Sequence, residues 1–218
     1  ESAAGEAGPR VITLSGDGPD FTAGNDLGDF LAELPREADD IPVWRLLRAL
    51  ARNSVPLVAA VHGNAVGIGT TMLLHCDLVI AEQGARFSMP FVDLGLVPEA
   101  ASSLLLPRIA GRRRAARHLL LAEPFGVEEA RELGLISHVA TTGGLRGALE
   151  SIVSALLAKP AEALRLTQGL LRRGDQDELV RRIELENSHF SERLTSREVR
   201  DSIEAFFASR AARAQIEG

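Results

Sequence analysis

The sequence lacks several features on which common protein functions depend. Its 218 residues include one cysteine, Cys76, which excludes an intramolecular disulfide and any multi-cysteine metal site. No apolar run reaches the roughly 18 residues that a membrane-spanning helix needs. The net charge of −6 argues against a nucleic-acid partner, and we interpret the small basic cluster at residues 112–114 as a solvated helix start. We therefore expect no metal, membrane or nucleic-acid partner, and the lone cysteine fits a cytoplasmic location.

The N-terminal half alternates short apolar runs with glycine-rich turns. Strands are predicted over residues 11–14, 56–61 and 78–81, because each run is apolar, short and bounded by turn-forming residues. A buried helix is predicted over residues 70–76, between the second and third strands. The order strand, glycine turn, helix, strand is typical of an α/β domain.

The C-terminal half is predicted to be almost entirely helical, apart from a short strand over residues 135–139. Apolar residues recur at helical spacing over residues 112–122, 127–133, 145–158, 161–173, 176–193 and 196–213, and also earlier, over 27–34 and 40–52. We therefore divide the chain into an α/β core over residues 1–140 and a helical region over 141–218. The first strand has almost nothing before it to pair with, so we expect that an N-terminal part of the core is missing from this sequence.

Two glycine-rich turns are the strongest indications of a functional site. The first spans residues 21–26, after a strand, and the second spans residues 63–69, where Gly63, Gly67 and Gly69 precede the buried helix. Free amides at a helix N-terminus attract negative charge. If the turns face one another, the amides of residues 67–69 can form an oxyanion hole with the first turn. The alternative is that the glycines only permit close packing of a strand against a helix.

Four segments resemble successive blocks of the enoyl-CoA hydratase/isomerase (crotonase) family, over residues 10–140. They are VITLSGDGPDFTAGND, PLVAAVHGNAVGIGTTMLLHCDLVIAE, ARFSMPFVDLGLVPEAASSLLLPRIAG and RRRAARHLLLAEPFGVEEARELGLISHVA. In motif the chain is most similar to the Δ3,Δ2-enoyl-CoA isomerases. The resemblance implies a crotonase-like (ClpP/crotonase) α/β core of ββα units with a helical C-terminal region that forms oligomers. It also implies an earlier strand pair and helix, in agreement with the missing N-terminal part.

The resemblance implies an oxyanion hole made of two backbone amides, which belong here to Asn25 and Ile68. It also implies a substrate-binding site around the two turns. The substrate-binding residues implied in this way are Thr22, Ala23, Gly24, Asp26, Gly67, Gly69, Thr71 and Phe91.

Acid–base residues distinguish the members of this family. Hydratases use two glutamates, and the matching positions here hold Thr71 and Phe91, which cannot take up a proton. The remaining carboxylate in the right block is Glu99, which corresponds to the base of the isomerases. Partial burial beside Phe91 and Met89 is expected to make Glu99 a stronger base. The alternative is a glutamate in the first turn of a helix after Pro98, stabilised by the helix dipole.

These residues predict an enzyme that isomerises a 3-enoyl-CoA to a 2-enoyl-CoA through an enolate. Coenzyme A enters as part of the substrate, and we expect no separate cofactor and no metal. A homotrimer, or a hexamer built as a dimer of trimers, is implied for the assembly. Two alternatives stay open: a hydratase or other lyase of the same family, with Asp93 as the second acid to test, and a non-catalytic acyl-CoA-binding subunit. We interpret Asp93 itself as a structural residue before Gly95.

Overall fold

The computed structural model of the protein describes residues 8–28, 42–172, 174 and 176–216. The strands are β1 (Ile12–Ser15), β2 (Leu57–Val61), β3 (Asn64–Val66), β4 (Leu78–Glu82), β5 (Arg86–Ser88), β6 (Phe125–Gly126) and β7 (His138–Ala140). The α-helices are α1 (Pro42–Ala51), α2 (Ile68–Thr71), α3 (Ser102–Ala110), α4 (Arg112–Leu120), α5 (Val127–Glu132), α6 (Leu145–Leu157), α7 (Ala161–Leu171), α8 (Gln176–Leu194) and α9 (Arg197–Ile216). Two 3₁₀ helices span Met72–His75 and Val92–Leu94.

The larger sheet has the strand order β1–β2–β4–β7, and all its strands are parallel. All five residues of β2 are buried, as expected for a parallel strand that is covered on both faces. Val58 and Ile80 pack under helix α6 on one face. Ala59 and Val61 belong to the main core on the other face. The predicted α/β domain, with strands and helices alternating along the chain, is therefore confirmed.

A smaller sheet, β3–β5–β6, fixes the position of both glycine turns. Strand β3 pairs in parallel with β5, and Thr22 forms an isolated bridge with Ala65 of β3. The prediction of a continuous turn over residues 63–69 is therefore wrong in its middle, since residues 64–66 form β3. Because the first turn is bridged to β3, and α2 follows β3 directly, the two turns share one edge of this sheet.

The C-terminal helices pack onto the core. Helix α8 lies against α1, where the rings of Trp44 and Phe190 meet edge to face at 5.5 Å. The Arg172 guanidinium, after α7, pairs with Asp77 at 3.1 Å, and Asp77 also accepts the N–H of Leu57 at 2.8 Å. Asp77 is therefore the loop anchor that its place before a strand indicates. The division at residue 140 stays a prediction, although β7 ends at Ala140 and α6 begins at Leu145.

Some element bounds differ from those predicted. The strand predicted over 135–139 begins only at His138, and α3 was not predicted, because Pro107 interrupts its helical pattern. The helix predicted over 27–34 lies largely outside the described residues. Among the helices that the structure describes, none is long and apolar enough to cross a membrane.

Candidate active site

The structure brings the two glycine turns side by side. The N–H of Thr22 donates to the carbonyl oxygen of Asn64 at 3.1 Å, and the N–H of Val66 donates back to Thr22 at 3.1 Å. Further along, Gly69 lies so close to Thr22 that an added Cβ would stand 2.4 Å from the Thr22 methyl group. Glycine at 69 is therefore required for the turns to approach, so close packing and the facing geometry of the turns occur together.

The backbone amides of the second turn are not equivalent. Gly67 has φ of 57°, and its N–H donates to the carbonyl oxygen of Ser88 at 2.9 Å. The expectation that the amides of residues 67–69 are all exposed is therefore wrong for Gly67. In the part of the chain that the structure describes, no hydrogen bond uses the N–H of Asn25 or of Ile68. These two amides, one on each turn, are left to bind a ligand.

A cavity of about 750 Å³ opens between the turns and the C-terminal helices. Asn25 and Ile68 both line it. Of the predicted substrate-binding residues, Ala23, Gly24, Asp26, Gly67 and Phe91 line the cavity, whereas Thr22, Gly69 and Thr71 do not. A ligand in the cavity can therefore reach both free amides and most of the predicted contacts.

Aromatic side chains from α8 and α9 form a part of this wall that was not predicted. They are Phe190, Phe206 and Phe207. Their helical spacing marks them in the sequence only as core or interface residues, which is why no binding role was assigned to them. Asp93 also lies on the cavity wall, and its side chain is exposed. The cavity is thus largely apolar, with carboxylates only toward solvent.

Glu99 is a buried carboxyl group that hydrogen-bonds Thr71, in the helix that follows the second turn. It is 1% exposed, and the Thr71 hydroxyl donates a hydrogen bond to its Oε1. Its Oε2 has no partner among the described residues. Burial raises the pKa of Glu99 from its ordinary value of 4.5 to about 8; the Thr71 hydrogen bond lowers it and the nearby Glu186 carboxylate raises it. Helix α3 begins only at Ser102, so the interpretation of Glu99 as a first-turn helix residue is wrong.

Glu186 on α8 is a second buried carboxyl group, and it was not among the residues predicted for the site. It accepts the N–H of Ala101 at 2.6 Å and the N–H of Ser103 at 3.0 Å. Burial raises the pKa of Glu186 to about 7, although its hydrogen bonds lower it. The available signal was its register: Glu186 stands on the stripe formed by Leu179, Ile183 and Phe190, where an acidic residue is out of place.

Other polar groups in the described part of the chain give no competing metal site. Among the described residues there is no group of three or more His, Cys, Asp or Glu side chains that could hold a metal ion. His75 is buried, its Nε2 donates to the carbonyl oxygen of Ala100 at 2.7 Å, and burial lowers its pKa to about 4. It is therefore neutral near pH 7 and serves to hold the backbone next to Glu99.

Comparison with known proteins identifies the family and the fold. A sequence model of the family described as enoyl-CoA hydratase/isomerase matches residues 1–214. The chain is 34% identical to 1,2-epoxyphenylacetyl-CoA isomerase of Escherichia coli (strain K12), over 92% of this chain and 79% of that protein. It is 30% identical to crotonyl-CoA hydratase of Syntrophomonas wolfei, over 93% of this chain and 78% of that protein. A solved structure of an enoyl-CoA hydratase/isomerase from Pseudoalteromonas atlantica superimposes with a TM-score of 0.86 at 38% identity, over 92% of this chain and 79% of that one.

Proposed function

The chain belongs to the enoyl-CoA hydratase/isomerase family and has its crotonase-like α/β fold, and from that premise we propose that it isomerises a 3-enoyl-CoA to a 2-enoyl-CoA. In this proposal Glu99 is the acid/base, and the backbone N–H groups of Asn25 and Ile68 hold the thioester oxygen. The relatives named above include both an isomerase and a hydratase, so the choice between the two reactions rests on this chain's own residues.

The observation that carries the proposal is the state of the Glu99 carboxyl group. A base that works near neutral pH needs a pKa near that pH, and burial raises the pKa of Glu99 to about 8. A base also needs an oxygen free for the substrate, and Oε2 has no partner among the described residues. Glu186, the second buried carboxyl group among the described residues, is already bonded to the backbone.

One carboxylate is sufficient for this reaction. Glu99 removes a proton from C2 of the substrate, the electrons move to the thioester oxygen as an enolate, and the same proton is returned to C4. The proposed reaction consumes no electron acceptor and no water, and none of its steps uses a metal. Coenzyme A, as part of the substrate, is therefore the only cofactor that we propose. Each amide that stabilises the enolate oxygen is expected to lower the activation free energy by about 3 kcal/mol.

Hydration would require a second acid–base group beside Glu99. The positions where hydratases of this family carry their two glutamates hold Thr71, whose hydroxyl is bonded to Glu99, and Phe91, which lines the cavity. Neither side chain can activate water. Asp93 is exposed on the cavity wall rather than buried beside Glu99, so its position favours solvent contact over acid catalysis.

The position of Glu99 behind the cavity wall is the observation that favours a second candidate. Gly67 and Ile68 line the cavity, whereas Thr71 and Glu99 do not. The Thr71 hydroxyl lies 3.3 Å from the Gly67 carbonyl oxygen and donates to Glu99, so the Thr71 side chain connects the cavity wall at Gly67 with the carboxyl group. Isomerisation therefore requires bound acyl-CoA to open a path to Oε2. A chain that binds acyl-CoA without opening this path would be a binding subunit.

The decisive experiment compares the wild-type protein with Glu99→Gln on a 3-enoyl-CoA. Glutamine keeps the shape and hydrogen bonding of the side chain but cannot accept the proton, so kcat is expected to fall by at least about 10²-fold. Acyl-CoA affinity is expected to change little, because the amides of Asn25 and Ile68 remain. Glu184→Gln, the same change at an exposed site on α8, is the matched control.

Three outcomes would contradict the proposal. Full activity of Glu99→Gln would remove Glu99 from the chemistry. Efficient hydration of a 2-enoyl-CoA by the wild-type protein would make the chain a hydratase. Acyl-CoA binding without turnover of any enoyl-CoA would favour the binding subunit.

A further inference from the structure

The backbone directly after Glu99 adopts an unfavourable conformation. Ala100 and Ala101 have φ of 61° and 55°, although neither is glycine. The N–H of Ser102 donates to the carbonyl oxygen of Glu99 at 3.0 Å, which closes a four-residue turn with both central residues left-handed. Turns of this kind normally carry glycine or asparagine at those positions. Such a turn persists only where its surroundings hold it in place.

Two buried side chains from distant parts of the chain hold this turn. His75 bonds the carbonyl oxygen of Ala100, as described above. Glu186 of α8 accepts the N–H groups of Ala101 and Ser103 and also contacts the Ser103 hydroxyl, at 2.5 Å. Arg182, one turn earlier on α8, donates to the same hydroxyl at 3.0 Å. Helix α3 has no side-chain cap from its N-cap residue Ala101, and Glu186 instead accepts the Ser103 N–H in the first turn of that helix.

We propose that Glu186 is a positioning residue for Glu99: its carboxylate holds the left-handed turn at Ala100 and Ala101, and that turn directs the Glu99 side chain toward Thr71. This inference rests on the proposed function, in which Glu99 is the base. It makes the C-terminal helix α8 part of the catalytic apparatus, through a residue that does not contact the substrate, since Glu186 does not line the cavity.

A helix cap without influence on Glu99 is the alternative, and two observations distinguish the roles. A residue that acts only as a cap would accept N–H groups of helix α3 alone. Glu186 also accepts the N–H of Ala101, which is one of the two residues with positive φ. A cap could also be a small polar residue on the helix's own chain. Here a carboxyl group is instead placed in the apolar interior, at a cost in desolvation, and it bonds Ala101 of the turn as well as Ser103 of α3.

The first test is Glu186→Gln, with Glu184→Gln as the matched control on the same helix. Glutamine presents an amide N–H where the N–H of Ala101 or that of Ser103 needs an acceptor, so the joint between the turn and α3 is expected to relax and Glu99 to shift. Displacement of a base by a fraction of an ångström lowers kcat, here by roughly 10- to 100-fold, while KM changes by less than about twofold. The control is expected to match the wild-type protein in both constants.

The second test restores the turn without the carboxylate. Glycine adopts positive φ without strain, so Ala100→Gly and Ala101→Gly are introduced together into Glu186→Gln. We expect this triple variant to recover at least about half of the lost kcat. With glycine at both positions, the backbone adopts positive φ without support from Glu186. If Glu186→Gln does not fold, Glu186→Asp takes its place, with the same pair of glycines.

The outcomes separate this inference from the proposed function. If Glu99→Gln is inactive but Glu186→Gln has a wild-type kcat, the positioning role is wrong and the proposed function stands. If the glycines restore the melting temperature but not kcat, Glu186 is only a structural cap. If Glu99→Gln is fully active, the proposed function itself has failed, whatever the Glu186 variants show.

Discussion

The hydroxyl group of Thr71 is hydrogen-bonded to the carboxyl group of Glu99, and it also lies 3.3 Å from the carbonyl oxygen of Gly67. A hydroxyl group is both donor and acceptor, so Thr71 can serve Glu99 in both protonation states. It donates to the ionised carboxylate. When the carboxyl group is protonated, the Thr71 oxygen can accept a hydrogen bond from the carboxyl O–H, and the Thr71 O–H can donate to the carbonyl oxygen of Gly67. In the proposed reaction, Thr71 is therefore suited to assist a base that gains and loses a proton in each turnover.

Thr71→Val tests this relationship, because valine has nearly the same shape but no hydroxyl group. The Thr71 hydrogen bond lowers the pKa of Glu99, so its loss is expected to raise that pKa above the value of about 8. The base works only when ionised, so the acid limb of the kcat profile should move to higher pH. Each pKa unit of upward shift removes about tenfold of the activity at pH 7. Activity should return at alkaline pH.

The control for this profile is Thr70→Val, the same change one residue earlier. The Thr70 hydroxyl donates to the carbonyl oxygen of Ala65 at 2.6 Å and does not contact Glu99. Its loss is expected to lower stability without moving the acid limb. An acid limb at the same pH in Thr71→Val and in the wild-type protein would show that the hydroxyl does not act on the base.

The residues proposed for the chemistry were easier to single out in the sequence than the contacts that hold Glu99 in place. Glu99, Asn25 and Ile68 lie within short segments whose pattern is visible in the chain, and the turns that carry them are marked by glycine. The left-handed backbone at Ala100 and Ala101 could not be predicted, because alanine gives no sign of positive φ. Its support comes from Glu186, 85 residues away from Ala101, and only tertiary packing brings the two together.

Gly67 provides a second prediction, since its φ of 57° is unfavourable for any residue with a side chain. Space is not the obstacle, because a Cβ at this position would meet nothing within 4 Å. Gly67→Ala is therefore expected to rotate the peptide that precedes Ile68 and misdirect its amide. We expect kcat on a 3-enoyl-CoA to fall by about 10²-fold, the usual effect of losing one oxyanion donor.

Gly84→Ala is the matched control for that substitution. Gly84 also has positive φ, 96°, and also has nothing within 4 Å of an added Cβ, but it lies in the turn between β4 and β5. Both variants should lose about 1–2 kcal/mol of stability, while only Gly67→Ala should lose activity. Equal activity losses would mean that the effect of Gly67→Ala is strain and not the loss of an oxyanion donor.

The assembly provides a third prediction, a homotrimer or a hexamer formed through the helical region over residues 145–213. Helix α7 leaves Leu166, Leu170 and Leu171 between 51% and 75% exposed, and such an apolar row on a surface helix favours burial against another chain. Light scattering at micromolar concentration is expected to give three or six times the mass of one chain. Leu170→Glu should lower that mass, and a monomeric wild-type protein would contradict the prediction.

The pH dependence of stability provides the last prediction, because the raised pKa of Glu99 must appear in unfolding as well as in catalysis. In the unfolded chain Glu99 ionises near pH 4.5, whereas in the folded protein it stays protonated up to about pH 8. Between these values unfolding releases a proton, so the contribution of Glu99 to stability is complete below pH 4.5 and is lost as the pH rises to 8.

Glu99→Gln removes this contribution, since glutamine does not ionise. The free energy of unfolding of the variant, relative to the wild-type protein, is therefore expected to rise steadily between pH 4.5 and 8 and to level off above. Urea unfolding at pH 5, 6.5 and 8.5, at equal protomer concentration, measures this difference directly. His75 and Glu186 also have shifted pKa values, but both are present in the two proteins, so their contributions largely cancel. Parallel stability curves would show that Glu99 is ionised in the folded protein, and the acid limb of catalysis would then belong to another group.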